Sequence, residues 1–178
     1  VNAISQFKDL SNYVLPSYIG EADPVEKLTE KALLTKKRTI ESKIQQQVLL
    51  RDKKVSTGDE IEVQKIDTNI AKLKKNAGKV SVEDVFCEFQ NTIKQDPGNE
   101  QTHTFNLGLY AIANQKTAMA EEALSGLTPA TFPTLELLYA IIEGQKGNLQ
   151  GGIKKLVQLL AENEYNRFYN VNLGLMYR

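Results

Sequence analysis

The stretch Phe105-Asn106-Leu107-Gly108-Leu109-Tyr110 comes back near the end of the chain as Val171-Asn172-Leu173-Gly174-Leu175-Met176-Tyr177, its shared Asn-Leu-Gly-Leu offset by 66 positions. Sixty-six is twice 33. An echo at that spacing points to an array of helix pairs, because one pair cannot bury its apolar face alone and must stack on its neighbours. Arrays of this kind usually bind other proteins, so the echo suggests an interaction module without naming its partner.

The rest of the chain fits an all-α reading. Residues 1–22 carry Ile4, Phe7, Leu10, Tyr13, Val14, Leu15, Tyr18 and Ile19 around Pro16, which predicts a short helix and then irregular chain. Asp23, Pro24 and Glu26 place a cap, a proline at the first helical position and an acid in the first turn, so a helix starts there. Up to Lys53 neither Gly nor Pro interrupts it. Thr57 and Glu60 have the spacing of a capping box, and Val63, Ile66, Ile70, Leu73 and Ala77 then step by threes and fours. A short linker joins the two helices, which predicts an antiparallel hairpin over 23–78 faced by Val25, Leu28, Ala32, Ile40, Ile44 and Val48. Ser81 and Asp84 offer another capping start. Beyond it, breaks at Asp96-Pro97-Gly98-Asn99, Asn114-Gln115-Lys116, Thr128-Pro129, Pro133 and Gly147-Asn148 leave room for helices of three or four turns. No period-2 strand pattern is present.

From residue 79 the pattern resembles the tetratricopeptide repeat, whose helix pairs follow W-x2-L-G-x2-Y, then A-x3-F, then Pro. Leu107-Gly108 and Leu173-Gly174 occupy the L-G pair, with Tyr139-Ala140 in register between them. Ala120 and Gly152 stand twelve residues beyond Gly108 and Ala140, as the small residues expected where paired helices cross closely. Leu124 and Leu156 follow in the place of the family's Phe, and Val85, Phe89 and Pro97 match an earlier second helix. The Trp position is instead Thr104, Glu136 and Asn170, and Pro133 falls one residue late, so no copy is a full match. The resemblance implies a short α-solenoid over 79–178 whose last repeat is incomplete, with an open apolar edge after Arg178 unless something covers it.

The same resemblance implies a groove lined by the first helix of each repeat. The residue before the L-G pair faces that groove, which puts Asn106 and Asn172 there with Leu138 between them. An asparagine amide has an acceptor and two donors, so it can pair with both main-chain groups of an extended peptide. The alternative is that both amides brace neighbouring helices. Phe105, Leu109, Phe168 and Val171 suggest that the groove is apolar, or else that they pack against residues 1–22 or further repeats. Thr102, Phe105, Leu109 and Ile112 on the corresponding face leave only Arg178 as a cation, which argues against a carboxylate clamp.

Charge is balanced overall but segregated: residues 24–80 sum to +6 and residues 81–178 to −4. The clusters Lys36-Lys37-Arg38, Arg51 with Lys53-Lys54, and Lys72 with Lys74-Lys75 suit an acidic protein surface. Because residues 24–80 contain no Phe, Tyr or Trp, nothing is available there to stack on bases, so a nucleic-acid partner is not expected. A lone histidine, His103, and a lone cysteine, Cys87, offer no catalytic or metal-ligating constellation. His103 reads as a surface or packing residue and Cys87 as a small buried one. One cysteine favours a reducing, cytoplasmic setting, and no apolar run approaches a membrane span. The sequence thus predicts a non-enzymatic adaptor without cofactor or small-molecule substrate, binding a peptide or helix of a protein partner. The alternative is a structural subunit of a larger assembly that uses the hairpin and the open repeat edge.

Overall fold

The computed structural model describes residues 13–20 and 24–178. Among these residues every regular element is helical and none is a strand. The expected cap Asp23 and residues 1–12, the first part of the segment 1–22 in which a short helix is expected, lie outside the described residues. The chain forms two compact units, one of Asp23–Asn91 and one of Val1–Ala22 with Thr92–Arg178. The division falls inside a helix rather than near residue 79, and the N-terminal segment belongs with the C-terminal helices.

The first unit is built on α1 (Pro24–Ser56) and α2 (Glu60–Asn76), which pack together as an antiparallel hairpin. At 1.5 Å per residue α1 is about 50 Å long and α2 about 26 Å, so the longer helix extends past its partner. Leu28, Ala32 and Ile40 are the buried members of the expected α1 stripe, whereas Val48 is exposed, and on α2 the buried residue is Ile66. The α2 cap is Asp59, whose side chain accepts from Glu62 N, and not Thr57, whose hydroxyl turns back to Lys54 O. A carboxylate is the better anion for the positive end of a helix, and Lys54 holds it in place at 3.2 Å. Helix α3 (Val82–Gln95) opens on a reciprocal box: Asp84 N donates to Ser81 Oγ and Ser81 N to Asp84 Oδ2. Lys36 Nζ lies 2.6 Å from the same carboxylate, and its hydrogen bond, with that of Ser81, holds Asp84 below the usual carboxylate range. Val85, Phe86, Glu88 and Phe89 form the buried face of α3. Glu88 is met there by Lys31 at 3.3 Å and by the Thr35 hydroxyl at 3.1 Å, as a buried carboxylate requires. Cys87 falls on the opposite side of this face and is exposed, contrary to the expectation from its residue type.

In the second unit a 3-10 turn at Pro97–Asn99 leads into α4 (Glu100–Ala113), α5 (Thr117–Leu124), α6 (Leu135–Gln145), α7 (Leu149–Glu162) and α8 (Arg167–Met176). Each helix packs on the next, and α6 also touches α4 and α8. The turns after α4 and α6 are alike, with left-handed backbone at Gln115 (φ 57°) and Gly147 (φ 85°), a conformation that glycine adopts without steric cost. His103 Nε2 sits 3.0 Å from Asp96 Oδ2, tying α4 to the turn before it and, through that hydrogen bond, lowering the Asp96 pKa.

Close crossings occur at the positions where the repeat register asked for small residues. Ala120 is fully buried. A Cβ on Gly108 would meet the Leu124 side chain, with Cγ only 2.7 Å away, and one on Gly152 would stand 2.8 Å from the Ala140 carbonyl oxygen and 2.7 Å from Met176 Sδ. Helices α4 and α6 are buried on most sides, Phe105, Leu109, Ile112, Leu135, Leu138, Ile141 and Ile142 each being at most 1% exposed. A helix buried all round is an interior element, so α4 and α6 form the core on which α5, α7 and α8 are laid.

Candidate functional site

Two of these interior positions are polar. Asn106 on α4 is 3% exposed and Asn172 on α8 is fully buried. A buried amide without partners costs a few kcal/mol, so its pairing has to be accounted for. Both are paired with main chain of the same segment, residues 13–20.

Asn172 Oδ1 accepts from Val14 N at 2.7 Å, and its Nδ2 donates to Val14 O at 2.8 Å and to Phe168 O, one turn back on α8, at 2.9 Å. Asn106 repeats the arrangement on α4, accepting from Ile19 N at 2.8 Å and donating to Ile19 O at 2.8 Å. Each amide thus takes both main-chain groups of one residue, as a neighbouring strand would, and neither contacts a side chain of the segment through these bonds. Between them Leu138 has no polar group to offer and is completely buried.

The segment also touches α6. A Cβ on Gly144 would lie 2.5 Å from the Tyr13 hydroxyl oxygen, 2.7 Å from its Cζ and 2.9 Å from Met176 Cε. Gly144 is therefore a notch into which the end of the Tyr13 ring fits, and burial there pushes the phenol pKa up. Beside the ring a cavity of about 210 Å³ is lined by Tyr13, Leu15, Ile112, Ala113 and Gln145. Gln145 Nε2 donates to Ile112 O at 2.9 Å, while its Oε1 is buried with no hydrogen-bond partner among the described residues. Residues 13–20 thus cross α8, α6 and α4 in one pass, as a strap.

No family model matches this chain, and the searches among curated proteins and solved structures returned no match either. The reading of the site accordingly stands on its geometry.

The apolar residues expected to line a groove have different places. Phe105 is 1% exposed and stacks on Phe132 with ring centroids 4.8 Å apart, and Leu109 is equally buried. Both serve the interior of the unit and present no open surface. Phe168 is half-buried and offers its carbonyl to Asn172, and Val171 is exposed. The two asparagines alone converge on one ligand-like object. Gly144 and Gln145 were not singled out from the sequence, and Tyr13 was named only as one of the apolar residues of 1–22. The density of apolar residues around Pro16 was the available signal, since an apolar segment that cannot stay helical must bury itself as extended chain. Among the described residues, no three His, Cys, Asp or Glu side chains gather as a metal site would need, and no helix is long and apolar enough to cross a membrane.

Proposed function

We propose that this chain is a non-enzymatic protein-interaction adaptor, with tetratricopeptide-like helix pairs over its C-terminal unit and a site for extended peptide on α4, α6 and α8. The observation that carries this reading is the pairing of Asn106 and Asn172 with both main-chain groups of Ile19 and Val14. Helices built only to pack on one another have no need of two buried amides that grip extended chain. The order of helix packing, each on the next with α4, α6 and α8 in succession, also supports the helix-pair reading.

The test removes the strap and then the amides. In full-length protein carrying Val14→Pro and Ile19→Pro, the strap lacks the two N–H donors, and the proline rings meet the asparagine oxygens. Panning a displayed library of random twelve-residue peptides on this variant should enrich binders that are lost, at least ~30-fold, when Asn106→Ala and Asn172→Ala are added. Binders that keep their affinity for the quadruple variant, with its helical circular dichroism intact, would remove the asparagines from the site.

The second reading, a structural subunit of a larger assembly, is favoured by a separate observation. Val48, Leu49, Leu50, Val55 and Ile61 are exposed around the tip of the α1–α2 hairpin, Leu49 by 65% and Ile61 by 71%. Several exposed large apolar side chains toward one end of a hairpin suit a contact surface. If the contact is made with another copy, sedimentation at tens of micromolar should show an oligomer that Leu49→Glu with Ile61→Glu returns to monomer. A wild-type monomer throughout the range would refute self-assembly through the tip.

A further inference from the structure

The strap contacts also describe what kind of segment the site selects, an inference that rests on the peptide-binding reading above. We infer that residues 13–20 occupy the site in place of a partner's extended segment, which carries an aromatic residue followed directly by the main chain taken by Asn172. The strap must leave before that partner can bind.

Three observations define the ligand. The first is the Gly144 notch, where the absence of a side chain leaves the space beside Met176 that a ring end fills. It is filled by Tyr13, the residue immediately before the one held by Asn172, so the notch and the first amide read an aromatic residue and its successor as a pair. The second is the spacing of the amides. Val14 and Ile19 are five residues apart, a stretch that extended chain covers in at most roughly 16 Å, so a ligand that repeats the strap's contacts runs over seven residues from the aromatic position to the second amide. Pro16 lies within this stretch and makes none of the described bonds to the asparagines, which means that proline is tolerated there.

The third observation concerns what the strap leaves undone. Gln145 Oε1 is buried without a partner among the described residues, and Gln145 and Leu15 line the same cavity. An apolar side chain cannot answer an acceptor. A segment with a hydrogen-bond donor two residues after the aromatic position would satisfy Gln145 and gain about tenfold in affinity over the strap sequence. The strap is thus a weaker occupant than the site can take. It nevertheless has the advantage of being covalently attached, which raises its local concentration to the millimolar range. An external segment of the same sequence loses that competition, and one that also reaches Gln145 gains part of it back.

The occupant to which these contacts commit is a partner's extended segment of the form aromatic, any residue but proline, donor. The probe is a fluorescein-labelled peptide of residues 13–20, read by anisotropy against three full-length proteins: wild type, the Val14→Pro/Ile19→Pro variant, and that variant with Asn106→Ala and Asn172→Ala. The peptide should bind the opened variant, bind wild type at least ~30-fold more weakly, and not bind the protein without the amides. On the opened variant, a peptide with Tyr13→Ser should lose ~10-fold or more, one with Val14→Pro should fail, and one with Leu15→Gln should bind ~10-fold more tightly. Should the double proline variant lose its helical signal, Tyr13→Ser with Val14→Pro in the full chain takes its place, since it vacates the notch and takes the Val14 N–H from Asn172 while leaving Ile19 on Asn106.

Equal binding by wild type and the opened variant would overturn the occupancy claim. Indifference to Tyr13→Ser would overturn the aromatic preference, and indifference to Leu15→Gln would overturn the donor position. Concentration-dependent dimerisation of wild type, abolished by the strap prolines, would make a second copy the occupant and overturn the assignment to a partner. These failures are separable from failure of the peptide-binding reading itself, in which the opened variant would enrich no asparagine-dependent peptide of any sequence.

Discussion

Asn172→Ala is expected to detach the strap at Val14 and to be among the most destabilising single changes in the C-terminal unit. The side chain is fully buried and makes three hydrogen bonds, two to Val14 and one to Phe168 O. Removing it leaves Val14 N and O without the amide that pairs them and opens a void between the strap and α8. Each net hydrogen bond contributes about 1 kcal/mol, and a buried group left unpaired costs about 1–3 kcal/mol. Because the three bonds share one side chain, their losses do not simply add, and a total of roughly 2–4 kcal/mol is expected. For a unit of this size each kcal/mol lowers the melting temperature by about 4–8 °C, so the midpoint should fall by more than ~10 °C.

Hydrogen exchange gives the more specific readout. The Val14 amide should lose at least ~30-fold of its protection, far more than amides within α7, which takes no part in the asparagine's hydrogen bonds. Asn172→Asp should not restore it at neutral pH, since a carboxylate can accept from Val14 N but has no proton to give to Val14 O or Phe168 O. Unchanged protection at Val14 in the alanine variant would mean that the strap is held by something other than the amide.

The two asparagines also show where legibility in the sequence ended. Their register came from the echoed Asn-Leu-Gly-Leu and their chemistry from the amide itself, whereas their place on a groove was only what the resemblance to the tetratricopeptide repeat implied. What was not readable was the identity of the chain they hold. Val14 and Asn172 are separated by 158 positions, and no local pattern encodes a main-chain partner, because every residue but proline offers the same N–H and C=O. Helix boundaries were legible for the same local reasons that failed here: Pro24, the Ser81–Asp84 box and the turns at Gln115 and Gly147 act within four residues of themselves. The capping of α2 by Asp59 shows the limit even there, since Thr57 and Asp59 both had the chemistry and the outcome depended on Lys54. Phe105 and Leu109 illustrate a different failure. Their spacing placed them on a helix face, but α4 is buried on most sides, and periodicity cannot say which buried face meets a ligand and which meets Phe132. Cys87 was misjudged because residue type predicts average burial, whereas α3 places Glu88 inside and the cysteine out.

The glycines of the echo should respond in opposite ways to the same substitution. In a helix interior, alanine is favoured over glycine by about 0.8–1.0 kcal/mol, so Gly→Ala stabilises wherever the methyl group has room. At Gly174 no atom among the described residues lies within 4 Å of the new Cβ, and Gly174→Ala should raise the midpoint by a few degrees. At Gly152 the Cβ would meet the Ala140 carbonyl oxygen at 2.8 Å, a backbone atom of the neighbouring helix that cannot rotate away, together with Met176 Sδ at 2.7 Å. Forcing α6 and α7 apart costs about 1–3 kcal/mol, more than the propensity gain, and the midpoint of Gly152→Ala should fall by roughly 5–10 °C. Gly108→Ala should lie between the two, since Leu124 is fully buried and can yield only by disturbing its own neighbours. Thermal melts of the three variants test the helix-pair register directly, because Gly108 and Gly174 share the same flanking Asn-Leu and Leu and differ only in what is packed over them. Equal shifts at Gly108 and Gly174 would show that the echo does not mark a helix crossing. Opposite shifts would mean that α8 presents uncovered the face that α4 covers with α5.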